Sequence, residues 1–314
     1  MSRGDALYHP NRRLRRSLGP FFGAACFLAT LTGVVVLAVF LASIFFAALG
    51  GTVHPVWDSL GQAIRDFLTL MSRLITNRQS SNPAIAGFRV GLVGTLWLLG
   101  LVAVIGIPIG IGAGVFLEEY APSGRLKRII QTNISNLAGV PSIVYGILGL
   151  ALFVRAFGAK GLALGPSLLA GAFTLGLLIL PTIVITTQEA LRAVPSSLRQ
   201  AALALGATRW QVVSGHVLPA ALPGIMTGAI LGLSRVIGET APLLMVGAAG
   251  SILRLPKGVL DRYTALPVEI YNYAKEPDRQ FQMITAGGIL ILMLLLLTMN
   301  AAAIVIRNKF RRGR

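Results

Sequence analysis

Apolar residues dominate six stretches of the chain, 21–49, 90–117, 137–157, 162–187, 218–246 and 284–306, while charged and polar residues collect between them. Each stretch is near or above the ~20 residues a helix needs to cross the hydrocarbon of a bilayer. The pattern predicts six transmembrane helices. The third and fourth are the least separated, because only Arg155, Lys160 and a few glycines divide them. Two stretches carry an internal proline, Pro108 within Gly106-Ile107-Pro108-Ile109-Gly110 and Pro181. Proline frees a backbone carbonyl, which a span tolerates only beside neighbouring protein, and glycine-rich faces let helices approach closely. Such residues fit moving, kinked helices and a static bundle alike.

Composition agrees with the pattern: 54% of the residues are hydrophobic and only 12% charged, which excludes a soluble globular domain. The fold class expected is an all-α membrane protein. Stretch 21–49 follows a basic segment, as a signal peptide would, but it far exceeds the ~7–15 residues of a signal-peptide apolar region and reads as a retained helix.

The formal net charge of +17 raises nucleic acid as a partner, yet the basic residues stand at the ends of spans and do not interleave with aromatics. They report orientation instead. Arg3, Arg12, Arg13, Arg15 and Arg16 precede the first span, and Arg307, Lys309, Arg311, Arg312 and Arg314 follow the last. By the positive-inside rule the tails 1–20 and 307–314 are both cytoplasmic, and Arg125, Lys127 and Arg128 place the second-to-third connection on the same side. Segments 50–89 and 250–280 face outward, their charge diluted by Asp58, Asp66, Asp261, Glu269, Glu276 and Asp278. Residues 90–306 form the core of five spans behind the first helix. Cys26, the one cysteine, excludes an intrachain disulfide, and His9, His54 and His216 are too scattered to suggest a metal site.

Two opposite charges, Arg235 and Glu239, stand four residues apart inside an apolar run, 224–246, that is long enough to cross a membrane. A charge at the centre of a span costs roughly 2.5–3.5 kcal/mol on insertion scales, so such residues tend to mark a path or a functional partner. On one continuous helix the two share a face and form an ion pair, either lining a path or tying two helices together. Residues 139–145 suit the start of a pore-lining helix, with Ser142 and Tyr145 offering hydroxyls. A serine-hydrolase role for Ser142 with His216 is excluded, because the two lie on different segments without a carboxylate partner.

The most organised connection is 188–216, between the fourth and fifth spans. Pro195 ends the preceding helix, Ser197 with Gln200 fits a capping box, and Leu198, Ala201, Ala202 and Leu205 follow the spacing of one apolar face. Gly206 is placed to end this short helix, and Thr208 with Gln211 repeats the capping signature. A helix of this length is marginal alone, so its face docks on the protein's own helix ends or in the groove of a soluble partner.

Here the chain resembles a family. Gln200-Ala201-Ala202, Gly206 and His216-Val217-Leu218-Pro219 are similar to the EAA loop of ABC-importer permeases, with Gln200 in place of the usual Glu and His216 in place of the usual Ile. Phe116-Leu117-Glu118-Glu119-Tyr120-Ala121-Pro122, the run Leu137 to Gly146, and Arg235-Val236-Ile237-Gly238-Glu239-Thr240-Ala241-Pro242 resemble phosphate-importer permeases of the PstA type. The resemblance implies a type I importer permease fold and a coupling loop at 188–219. It implies that Gln200, Ala201, Ala202, Leu205 and Gly206 meet an ATPase subunit, and that Arg235, Glu239, Thr240, Ser142 and Tyr145 border the substrate path.

The chain carries no G-x4-G-K-[ST] phosphate loop, so ATP and Mg2+ belong to a partner. The implied partners are a PstC-type permease, two PstB-type ATPases, an external PstS-type phosphate-binding protein and membrane lipid. The competing expectations are import of sulfate, molybdate or phosphonate, a proton-coupled carrier using Glu239, and a membrane scaffold.

Overall fold

The computed structural model describes residues 12–48, 60–156, 164–248 and 252–312. Arg3, His9, His54, Asp58, Lys160 and Arg314 lie outside the described residues. The described chain runs through α1 (Arg12–Ala48), α2 (Leu60–Thr76), α3 (Arg89–Val115), α4 (Arg125–Ala138), α5 (Ser142–Gly149), α6 (Leu168–Arg192) and α7 (Ser196–Ala204). It continues through α8 (Arg209–Val212), α9 (Leu218–Gly238), α10 (Ala241–Val246), α11 (Leu266–Ala274) and α12 (Arg279–Arg312). Wide π-helical turns extend α3 (Phe116–Tyr120) and α5 (Leu150–Ala156) and join α8 to α9 (Val213–Val217).

Among the described residues, five continuous helices are long and apolar enough to cross a membrane: Pro20–Ala48, Arg89–Tyr120, Leu168–Arg192, Arg209–Gly238 and Arg279–Lys309. The third expected span is corrected. Instead of one rod over 137–157, α4 and α5 meet at 104°, and the bent pair supplies the sixth crossing only if counted as one. Pro141 explains the bend, because it has no amide hydrogen to continue α4 and biases Val140 away from helical geometry. The fifth stretch, 218–246, is also broken. Helix α9 stops at Gly238, Glu239 is extended at φ −77° and ψ 113°, and α10 ends at Gly247 with φ +111°. Pro242 again removes the amide that a continuous helix would need.

Helix α6 is the centre of the bundle, gripped by small residues from both sides. On α3, a Cβ added at Gly110 would lie 2.7 Å from Ile183 Cγ2, and one at Gly114 would lie 2.7 Å from Thr187 Cβ. On α9, a Cβ at Gly224 would lie 2.8 Å from Ala190 Cβ, and one at Gly228 would collide with Thr186. Small residues four apart bring helix backbones together where hydrophobic driving force between helices is weak. Leu98, Val102, Leu175, Ile179, Ile183, Val236, Ile237 and Leu243 fill the remaining core. By contrast α1 meets the body at its last turns, where Ile44 and Ala48 touch Ala286 and Phe45 meets Phe67. Phe22, Phe27, Val36 and Phe40 along α1 are exposed. An apolar face of that extent suits lipid and not water.

At one end of the bundle, α7 and α8 follow the sequence in part. Gly206 ends α7 with φ +84°, and Thr208 with Gln211 forms the expected reciprocal capping box. The Ser197 cap is corrected: α7 already starts at Ser196 behind Pro195, without a side-chain cap. At the opposite end, α11 and the residues before it sink between α3 and α12, where Leu266, Phe88, Tyr273 and Ile284 form a second core.

Candidate functional site

Arg235 lies on the last turn of α9, and Glu239 is the first residue after it. The expected pair forms, with Arg235 Nε donating to Glu239 Oε1 at 3.3 Å, although the two no longer share a helix. It is not a buried pair: the Arg235 side chain is 41% exposed and that of Glu239 18%. Among the described residues this is the only hydrogen bond of the guanidinium, so both terminal amino groups are free. A planar fork with two free amino groups is suited to paired hydrogen bonds from an oxyanion.

Thr240 continues the break and opens α10, which packs tightly on α5: a Cβ at Gly146 would lie 2.6 Å from Pro242 Cα. That contact brings Tyr145 into electrostatic reach of Arg235. Tyr145 is buried, however, and its hydroxyl donates to the Leu137 carbonyl at 2.8 Å, across the bend between α4 and α5. Its hydroxyl therefore braces the bend, which corrects the expectation that it is offered to a path. Ser142 is half-buried and begins α5, so a helix does start within 139–145.

At the α7 end, the expected single apolar face divides. Ala202 packs into a small core with Leu191, Val194, Val212, Val217, Ala221 and Ile225. Gln200, Ala201 and Gly206 are exposed, as is Leu198, and Leu205 is 90% exposed. Leu203 and Trp210 are also exposed. Ala202 and Arg199, whose guanidinium donates to the Leu191 and Val194 carbonyls, anchor the helix, and its other residues are presented outward.

The Glu269 expectation is overturned. It does not dilute charge on an open loop, because it is fully buried on α11, its carboxylate against the Gly91 backbone and neither oxygen hydrogen-bonded. Burial pushes its pKa up to about 8. Asp261 serves a turn: its Oδ2 accepts from the amides of Lys257 at 2.7 Å and Gly258 at 2.9 Å.

Residues 106–312 match the family described as binding-protein-dependent transport system inner membrane component. The chain belongs to this family. The permease is similar to the phosphate transport system permease protein PstA 1 of Mycobacterium tuberculosis (strain ATCC 25618 / H37Rv), 39% identical over 225 residues that cover 71% of this chain and 70% of the relative. It is similar to the probable ABC transporter permease protein YqgI of Bacillus subtilis (strain 168), 36% identical over 249 residues, covering 74% and 82%. Among solved structures, the bacterial alginate ABC transporter in complex with alginate pentasaccharide-bound periplasmic protein superposes with a TM-score of 0.64 at 17% identity, over 95% of this chain and 96% of that one. The inward-facing MetNI methionine ABC transporter gives 0.56 at 23% identity, over 74% and 99%. The fold is that of type I importer permeases. The permease is thus an integral membrane subunit of an ABC importer and not a catalytic enzyme.

The sequence signals that were missed lie in the permease's Glu118-Glu119-Tyr120 run. Glu118 pairs with Arg192 and Glu119 with Arg199, each across more than 70 positions of chain. Two adjacent carboxylates at the end of a span were the visible signal, but their partners follow no local spacing.

Proposed function

We propose that the permease imports inorganic phosphate as one of two transmembrane subunits of an ATP-driven importer in a bacterial inner membrane. One observation carries the reading: a guanidinium held by a single 3.3 Å contact, at a helix break within an apolar span. The PstA relative adds support for phosphate as the anion. Phosphate competes with Glu239 for Arg235 during passage, with Thr240 at the break and Ser142 at the start of the facing α5. Binding stays weak, because a site that holds its ion tightly cannot release it.

The exposed surface of Gln200, Ala201, Leu205 and Gly206, anchored through Ala202, docks on an ATPase subunit that supplies ATP and Mg2+ chemistry. This end and both termini are cytoplasmic, and α11 lies outside. A second permease of the PstC type completes the path, two PstB-type subunits hydrolyse ATP, and a PstS-type protein delivers phosphate. The binding protein in the alginate transporter structure supports the last of these. Closure of the ATPases moves α7 and α8, and alternating access follows from the motion of the spans against one another.

The test is uptake of labelled phosphate at low concentration by cells lacking this chain, complemented with wild type or Arg235→Gln, with sulfate and molybdate as competitors. Wild type restores uptake that the competitors leave intact, and Arg235→Gln lowers it at least about tenfold, corresponding to ~1.4 kcal/mol. Normal uptake without the chain, or in a folded Arg235→Gln variant, would sink the reading.

A further inference from the structure

The wide turn Phe116–Tyr120 closes α3, with the Ala121 amide donating to the Phe116 carbonyl at 2.8 Å. Pro122 then stops the helix. Turns of this kind re-aim the side chains that follow and recur at functional sites. Consecutive side chains on a helix diverge by roughly 100°, so three in a row reach a common partner only when that partner wraps around the helix end. Here the connection from α6 through α8 does so.

Glu118 accepts from Arg192 on the last turn of α6 through both oxygens, each at 2.9 Å. Glu119 Oε1 accepts from Nη2 of Arg199, on α7, at 2.8 Å. The same guanidinium donates to the Leu191 carbonyl at 2.7 Å and the Val194 carbonyl at 2.8 Å, at the end of α6. The Tyr120 ring lies under the Arg209 guanidinium of α8, 5.5 Å from centroid to Cζ, within cation–π range. Arg209 in turn starts the long helix Arg209–Gly238, whose last turn carries Arg235. Three adjacent residues of α3 thus hold α6, α7 and the base of α9.

The two Glu–Arg pairs differ in kind. Arg192 is 55% exposed, whereas the side chains of Glu119 and Arg199 are 11% and 23% exposed. The second pair is largely buried, so it is separate from the exposed surface that carries Leu205.

We infer that Glu118, Glu119 and Tyr120 are positioning residues that bind the α7–α8 docking surface to α3, α6 and α9, so that a displacement imposed at α7 reaches the Arg235 break as one rigid-body motion. This rests on the reading of α7 and α8 as the ATPase contact. The clasp makes the α7 connection part of the bundle and not a hinged flap. An ATPase that pulls on α7 then moves three spans together.

The experiment uses the whole importer, with its partner permease, ATPases and binding protein, reconstituted in proteoliposomes. Phosphate taken up per ATP hydrolysed is compared for wild type, Tyr120→Phe, and Glu119→Gln combined with Tyr120→Leu. The combined variant is expected to keep ATP hydrolysis without binding protein while uptake per ATP falls at least about fivefold, the low end of usual coupling energies. Tyr120→Phe, which keeps the ring under Arg209, is expected to match wild type. An unchanged ratio in the combined variant would overturn the inference.

A second measurement needs no transport. Spin labels at Phe116 and Leu203, both exposed, should hold the same separation with and without ATP in the wild-type complex and lose it in the combined variant. A separation that shifts with ATP in wild type would overturn the clasp. Absence of phosphate uptake by wild type would count against the substrate alone, since the label distances do not depend on the anion.

Discussion

Two short helices of equal length link spans at opposite ends of the bundle, and they are built in opposite ways. Helix α7 buries one residue, Ala202, and leaves Leu198, Leu203 and its neighbour Leu205 exposed. Helix α11 buries Leu266, Pro267, Val268, Glu269, Ile270 and Tyr273. Both segments are polar enough in sequence to read as connections, yet α11 is part of the core and α7 is a surface. A helix that completes the fold hides its apolar residues within the chain. One that keeps large apolar side chains at a membrane protein's polar end has its packing partner elsewhere. The contrast separates the segment that stabilises this subunit from the one proposed to connect it.

The largest effect should come from forcing α11 out. Gly94 on α3 lies against the Thr264 carbonyl so closely that a Cβ would collide with it. Gly94→Leu is expected to destabilise the permease by more than about 3 kcal/mol, in the range of severe overpacking, read as loss of folded protein in a detergent thermal-unfolding assay. A melting temperature close to wild type would show that α11 is not a core element.

Glu269→Gln tests the same helix by charge. With a folded pKa near 8 against an ordinary 4.5, the folded state holds the proton more tightly than the unfolded chain. Its stability is therefore complete below pH 4.5 and falls as pH rises through 8. At pH 7, where the folded carboxyl is still mostly protonated, that loss amounts to about 3 kcal/mol. The glutamine variant should be more stable than wild type at pH 7 and lose that part of the pH dependence. Parallel stability curves from pH 5 to 8 would contradict the burial argument.

The smallest effect on stability belongs to α7. Leu205→Asp removes a side chain that touches almost nothing in this chain, and should shift stability by less than about 0.5 kcal/mol. Uptake should nevertheless fall at least about tenfold, because a charge enters the proposed docking surface. Normal uptake with the aspartate in place would move the ATPase contact elsewhere.

Legibility in the sequence followed the range of the interactions. Five of the six spans announced themselves by length and hydropathy, and Gly206 and the Thr208–Gln211 box were readable because their partners lie within a few residues. The Arg235–Glu239 pair was readable for the same reason, and it survives the helix break because the spacing is four. The Ser197 cap failed because the helix starts two residues earlier, with Pro195 at the N-cap position. Tyr145 failed as a path hydroxyl because its acceptor, the Leu137 carbonyl, is presented only once the chain bends at Pro141.

By itself, then, the sequence determined that this chain is a bundle of apolar helices, where most of them lie, and which residues cap or break them. Those properties arise from local sterics and from the length of apolar runs. The tertiary structure alone decided that Glu269 is buried and Leu205 is not, that α6 is gripped between the glycines of α3 and α9, and that Glu118, Glu119 and Tyr120 hold three elements at once. Each of these depends on which distant surfaces close on one another. A carboxylate's surroundings, unlike a helix's periodicity, are set by residues from other parts of the chain.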